Sequence, residues 1–231
     1  MLLINNELIW VAIPKCASSS IETALVRSNL DLKHFNNANQ RGEFLFQKHS
    51  HHTKSALERL FGKKETFCVK RDWFERWLSS LRFFWNSSKE NGMTPIIPFE
   101  EIDNEFIYKT FDANFANTLY FNNRGMEICT DRLIKENIYN LPVGANKNIS
   151  HLFSSQNYWT DNTKCTYEFD IKKLYELEDF IYNKFGEKIE ITENNVQIKK
   201  LKNKIILDVT LRHYIWELFE KPYDKTLKKI M

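Results

Sequence analysis

Two short segments gather side chains that bind anions. Ile13-Pro14-Lys15-Cys16-Ala17-Ser18-Ser19-Ser20 offers an ammonium and three hydroxyls. Val69-Lys70-Arg71-Asp72-Trp73-Phe74-Glu75-Arg76-Trp77-Leu78-Ser79 offers an arginine and, eight residues on, a serine. An arginine suits a phosphate because its planar fork donates two bonds at once. Each segment follows a short apolar run and opens an amphipathic stretch, so each is expected at a strand-to-helix turn. Backbone N–H groups and the helix dipole favour negative charge there. Between the two lies Lys48-His49-Ser50-His51-His52-Thr53, which holds three of the six histidines. Histidine is well matched to taking a proton near neutral pH. Glu22, Asp72 and Glu100 are the carboxylates that could replace it. No cysteine or carboxylate completes a ligand set beside these histidines, so a metal is not expected.

Each of these residues also has a plainer role open to it. One of Ser18, Ser19 and Ser20 could cap a helix, although that leaves two unexplained. Arg76, on a helix surface, could pair with Glu75 or Asp72. Trp73, Trp77, Phe83, Phe84 and Trp85 are of the kind that fills a core. Gln156, Tyr158 and Trp159 fall in a polar stretch where a core role is less natural.

The paired anion segments resemble the sulfotransferase superfamily, whose donor is 3′-phosphoadenosine 5′-phosphosulfate (PAPS). In that family P-K-x-x-[ST]-[ST]-[ST] grips the 5′-phosphosulfate and R-D-x-x-x-R-x-x-S grips the 3′-phosphate. Lys15, Ser18, Ser19 and Ser20 fall on the first pattern, and Arg71 and Ser79 on the second. His51-His52-Thr53-Lys54-Ser55-Ala56 resembles the K-H-x-T-A segment of the carbohydrate-type, Golgi branch. Ser155-Gln156-Asn157-Tyr158-Trp159 resembles that branch's P-Q-x-x-Y-L segment. The likeness runs from about Leu8 to Phe185, with a weaker echo in Glu217 to Leu227. Ala17 stands where many relatives carry glycine, and Trp73 where they carry proline. Alanine can approach a phosphate closely if its φ is negative, so an intact loop is expected.

The resemblance implies an α/β protein with a P-loop-like parallel β-sheet flanked by helices on both faces, in a soluble form of the branch. It implies PAPS as co-substrate and transfer of a sulfuryl group to a hydroxyl of a carbohydrate or similar polar acceptor. Lys15 and His51 would be catalytic, with His49 and His52 as alternatives to His51. Lys15, Ala17, Ser18, Ser19, Ser20, Arg71 and Ser79 would bind the donor. Gln156, Tyr158 and Trp159 would border the donor or acceptor pocket. A nucleotide kinase using the same strand–loop–helix is a second reading, disfavoured because the Walker A pattern G-x-x-x-x-G-K-[ST] is absent. A non-catalytic protein that binds a nucleotide or a glycan is a third.

The elements that must hold these residues are legible from periodicity. Leu8–Ile13 is a continuous apolar run, the signature of a strand buried on both faces. A helix is expected after it, with Ser19-x-x-Glu22 as a capping box. Residues 30–50 are polar and expected as a loop. A helix is expected over Thr53–Phe61 with Gly62 as its stop, and a strand over Thr66–Val69. Asp72 and Glu75 repeat the capping-box spacing before the stripe Trp73, Trp77, Leu81 and Phe84. Later come a helix over 99–121, a weak strand at Glu127–Cys129, a loop over 149–163 and a strand at Tyr167–Phe169. A helix over Ile171–Phe185 closed by Gly186 follows, and then a mostly helical 205–230 interrupted at Pro222. Strands alternating with helices imply a parallel sheet covered on both sides.

The chain has 231 residues, 42% hydrophobic and 14% aromatic, with six glycines and five prolines and no linker-like stretch. One domain is expected, burying about 70% of its unfolded surface. The 33 basic and 30 acidic residues give a net charge of +3, too even a balance for a dedicated nucleic-acid binder. Cys16, Cys68, Cys129 and Cys165 form no C-x-x-C pair, so reduced packing thiols are expected. Asn5, Asn6 and Glu7 interrupt any leader, and no run approaches the roughly 20 apolar residues of a membrane span. A cytoplasmic catalytic core without an anchor is therefore expected. The abundance of Asn, Lys, Ile and Phe points to an AT-rich genome, bacterial or viral.

Overall fold

A computed structural model describes residues 2–34, 52–87, 94–95, 99–101, 103–105, 139–140, 155–192, 206 and 208–219. The chain forms two compact units, Met1–Arg71 with Gln156–Val196, and Asp72–Ser155 with Gln197–Met231.

The first unit is built on strands β1 (Leu2–Ile4), β2 (Leu8–Trp10), β3 (Leu32–His34), β4 (Glu65–Lys70) and β7 (Tyr167–Asp170). They form one sheet in the order β3-β1-β2-β4-β7. The α/β alternation is present, but the sheet is mixed where an all-parallel one was expected. β2, β4 and β7 run parallel, with Trp10 opposite Phe67 and Lys70 opposite Asp170. β1 pairs antiparallel with both β2 and β3. The reversal from β1 to β2 uses Asn5 and Asn6 at φ 47° and 57°, and the Glu7 N–H donates to the Ile4 carbonyl at 2.9 Å. Asparagine tolerates this left-handed backbone, so Asn5, Asn6 and Glu7 form a hairpin turn. β3 likewise occupies part of the loop expected over 30–50; residues 35–50 lie outside the described ones.

Helices α1 (Ser18–Val26), α2 (Lys54–Phe61), α4 (Gln156–Trp159) and α5 (Leu174–Phe185) belong to the same unit. Its core takes Leu8–Ile13 entire, Ile21, Ala24 and Leu25 of α1, Leu57 of α2, and Leu177 and Ile181 of α5. Each large aliphatic buried there contributes about 1.5–3 kcal/mol. Trp10 stacks on its strand partner Phe67 with ring centres 6.3 Å apart, and Tyr167 and Phe169 of β7 both pack on Phe180 of α5. α5 ends as expected at Gly186, which takes φ 73° and donates to the Tyr182 carbonyl at 2.7 Å.

In the second unit α3 (Trp73–Ser87) carries the expected aromatic stripe. Trp77 is buried and stacks on Phe74 at 5.8 Å. The Arg212 guanidinium of α6 (Val209–Phe219) lies over Trp73 and Phe74, 5.5 and 5.6 Å from the ring centres. A two-stranded pair, β5 (Thr94–Pro95) with β6 (Tyr139–Asn140), completes the described strands. The strand expected at Glu127–Cys129, Pro222 and most of the helix expected over 99–121 lie outside the described residues. No described helix is long and apolar enough to cross a membrane.

Candidate functional site

The first anion segment leaves β2 through the buried stretch Val11–Ile13. The Cys16 N–H donates to the Ile13 carbonyl at 3.3 Å, closing a turn with Pro14 and Lys15 at its corners. Lys15 takes φ 64°, the left-handed backbone that the third position of a type II turn requires and that glycine or asparagine normally supplies. Ala17 takes φ 59° and ψ 20°, so the negative φ on which close approach by alanine depends is not met. Of the six described non-glycine residues with positive φ, four are Asn or Asp, and only Lys15 and Ala17 are not. A left-handed L-residue costs about 1–2 kcal/mol, so surrounding contacts must hold this loop. Cys16, between the two, is buried, and its thiol is tied into the site as described below.

α1 starts one residue before the expected cap. Its N-cap position is Ala17, which has no side-chain oxygen, and no acidic residue stands in its first turn. Ser18, Ser19 and Ser20 therefore all lie in that first turn, and the capping box drawn from Ser19 and Glu22 does not start the helix. Ser20 is buried, and Ser18 and Ser19 are half-buried. The first N–H groups of a helix have no carbonyl partner within it. Here they carry the positive end of a helix dipole, with no acidic residue in the helix's own first turn.

The second segment differs. Asp72 Oδ1 accepts from the N–H groups of Phe74 and Glu75, both at 3.0 Å. The expected cap is thus present, and the start of α3 holds its own anion, with Glu75 in the first turn as well. Arg71 is half-buried in the first unit, and Ser79 is half-buried in α3 of the second. Arg76 is almost wholly buried, 1% exposed, which corrects its reading as a helix-surface residue.

α2 is closed in the same way as α3. Thr53 Oγ1 accepts from the Ala56 N–H at 3.4 Å, and Asp161 Oδ2 accepts from the Ser55 N–H at 2.6 Å. The Lys54 ammonium reaches Thr163 Oγ1 at 3.1 Å and the Lys164 carbonyl at 2.9 Å. His52, next to this cap, is half-buried, and burial holds its pKa below the ordinary 6.5. At pH 7 it is therefore neutral and able to accept a proton. His49 and His51 lie outside the described residues.

One segment ties these pieces together. Residues 156–159, expected within a loop, form the single turn α4, in which Gln156 and Trp159 are buried and Tyr158 is exposed. Trp159 belongs to the core. Gln156 Oε1 accepts from the Arg71 N–H at 3.0 Å and from the Cys16 thiol at 3.6 Å, while its Nε2 donates to the Arg71 carbonyl at 2.8 Å. Asp161, just beyond, holds α2. The structure thus joins the first anion segment, Arg71 and the segment beginning at His52 around residues 156–164. Neither the Gln156 bridge nor the Asp161 cap is foretold by spacing in the sequence; the P-Q-x-x-Y-L likeness alone marked the position of Gln156.

Cys16, Cys68 and Cys165 are buried free thiols, as expected, and Cys129 lies outside the described residues. Among the described residues no group of histidines, cysteines and carboxylates could hold a metal ion. Comparison of the chain with protein-family models, curated proteins and solved structures finds no match.

Proposed function

We propose that this chain is a sulfotransferase that moves a sulfuryl group from PAPS to a hydroxyl of a carbohydrate or similar polar acceptor. The observation that carries the reading is the first turn. Two non-glycine residues, Lys15 and Ala17, are held in a costly left-handed backbone just before three serines at the start of a helix without a side-chain cap. Strain of this kind persists where the surroundings over-determine it, and it clusters at ligand clamps. The parallel strands β2, β4 and β7, with anion segments after the first two, also support a P-loop-like sulfotransferase fold.

In this reading the acceptor oxygen bonds to sulfur as the bond from sulfur to the 5′-phosphate oxygen breaks. The acceptor proton passes to a histidine of the 49–52 cluster, and the departing oxygen keeps the electron pair. The α1 N-terminus and the three serines hold the 5′ end of the donor, and Arg71 holds its 3′-phosphate. Lys15 answers the charge that grows on the departing oxygen. An ammonium about 4 Å from a unit charge contributes roughly 4 kcal/mol at an effective dielectric near 20, on the order of a thousandfold in rate. Positioning and charge stabilisation dominate in transfers of this type. His51 is the proposed base, and His52, neutral at pH 7, is the described neighbour that could replace it.

Calorimetry with adenosine 3′,5′-bisphosphate, adenosine 5′-phosphate and ATP tests the donor; only the bisphosphate is expected to bind tightly. ATP binding best of the three would turn the reading toward a kinase. Turnover of PAPS with a panel of sugars then tests the base. His51→Ala is expected to lower kcat by about 10²–10⁴-fold with donor affinity unchanged. If His52→Ala does so instead, the base moves by one residue.

A further inference from the structure

We propose that Gln156 is a positioning residue. Its carboxamide fixes the Arg71 backbone to the phosphate loop, and so sets the spacing at which the 3′-phosphate and the 5′ end of the donor are read together. The inference deepens the sulfotransferase reading and rests on it.

The β4–β7 ladder ends at the pair Lys70–Asp170. Arg71, the next residue, would leave its N–H and carbonyl without a strand partner, and backbone groups that lose water must find one. Gln156 supplies both halves at once. Its Oε1 accepts from the Arg71 N–H at 3.0 Å and its Nε2 donates to the Arg71 carbonyl at 2.8 Å. A side-chain amide here takes the place of a neighbouring strand for one residue. Because both sides of Arg71 are held, the root of its guanidinium is held too.

The same oxygen also accepts from the Cys16 thiol at 3.6 Å. Cys16 sits between Lys15 and Ala17, the two residues in left-handed backbone. A single buried side chain, 7% exposed, therefore touches both anion segments. Only a primary amide of this length has the donor and the acceptor that the three contacts need. Glutamate could accept but not donate, and would add a negative charge beside an anion site.

The test uses Gln156→Met, which keeps length and bulk and removes both polar atoms, with Gln156→Asn as a second variant that is polar but too short. Each is titrated calorimetrically with adenosine 3′,5′-bisphosphate and adenosine 5′-phosphate, and each is melted. Wild type is expected to prefer the bisphosphate. Gln156→Met is expected to lose about tenfold or more of that preference while binding the monophosphate within about threefold of wild type. A folded variant that keeps the preference, or weakens both ligands equally, would overturn the positioning role, because a merely structural glutamine moves the melting temperature and not the ratio. If Gln156→Met does not fold, Gln156→Asn is read by the same criterion; if neither folds, Gln156 belongs to the folding core and the inference falls. A wild type without any preference would sink the sulfotransferase reading and this inference with it. A preference that survives the substitutions would sink the inference alone.

Discussion

The two strand-to-helix turns have the same topology and opposite chemistry. β2 and β4 are parallel neighbours, and each leads into a helix through a segment with a basic side chain. At the first turn the backbone is strained at Lys15 and Ala17 and the helix start carries no carboxylate. At the second, Asp72 accepts two N–H groups and the backbone shows no residue of positive φ. The first helix start thus has no side-chain cap, whereas the second is capped by a carboxylate. In the proposed reading, anion binding after β4 comes from the Arg71 side chain, while after β2 backbone, hydroxyls and ammonium act together. Two segments that look alike in sequence therefore differ in how their helix starts are capped.

Four substitutions test that difference. The largest effect is expected at the first turn, where Lys15→Ala should lower kcat by about a thousandfold, the scale of a lost charge at 4 Å. Donor affinity should change little, since the lysine's partner is charge that develops during transfer; single-turnover kinetics beside calorimetry would check it. A loss carried wholly by binding would erase the contrast between catalytic and binding turns. Arg71→Ala should weaken adenosine 3′,5′-bisphosphate by about 2–4 kcal/mol and scarcely alter adenosine 5′-phosphate. Equal losses for the two ligands, measured by titration, would move Arg71 away from the 3′-phosphate.

The other two substitutions concern stability. Asp72→Ala removes the cap of α3 and should cost about 1 kcal/mol, lowering the melting temperature by roughly 2–4 °C. No change in a thermal melt would mean that the second turn is no better satisfied than the first. Ala17→Gly should act in the other direction at the first turn, stabilising by about 1 kcal/mol as the left-handed strain is released. If it destabilises, the alanine methyl group has a packing role that outweighs its φ.

Legibility followed the range of the interactions. β4, β7, α2, α5 and the Asp72 cap were all visible, because periodicity, capping residues and a closing glycine act within a few neighbours. β1 and β3 were not, since three-residue strands beside an Asn-Asn turn carry too little pattern to outweigh their polar neighbours. The φ values of Lys15 and Ala17 run against residue preference, so no local rule could yield them; the contacts that hold the loop override it. Lys15, the serines and Arg71 were legible as candidates by type and spacing. Gln156 was legible only as a position in a likeness, because its partners are 85 and 140 residues away along the chain.

That separation has a consequence for the newborn chain. At roughly 5–20 residues per second, ribosomes need about 4–17 s to travel the 85 residues from Arg71 to Gln156. Throughout that interval both anion segments exist, yet neither Cys16 nor Arg71 has the amide that binds them in the finished protein. The β4–β7 pairing and the Asp161 contact with α2 arrive just as late. In the proposed reading, nucleotide capture is thus a property the polypeptide acquires only after its second third has been made, and a truncated product ending before residue 156 would carry the anion segments without their clamp.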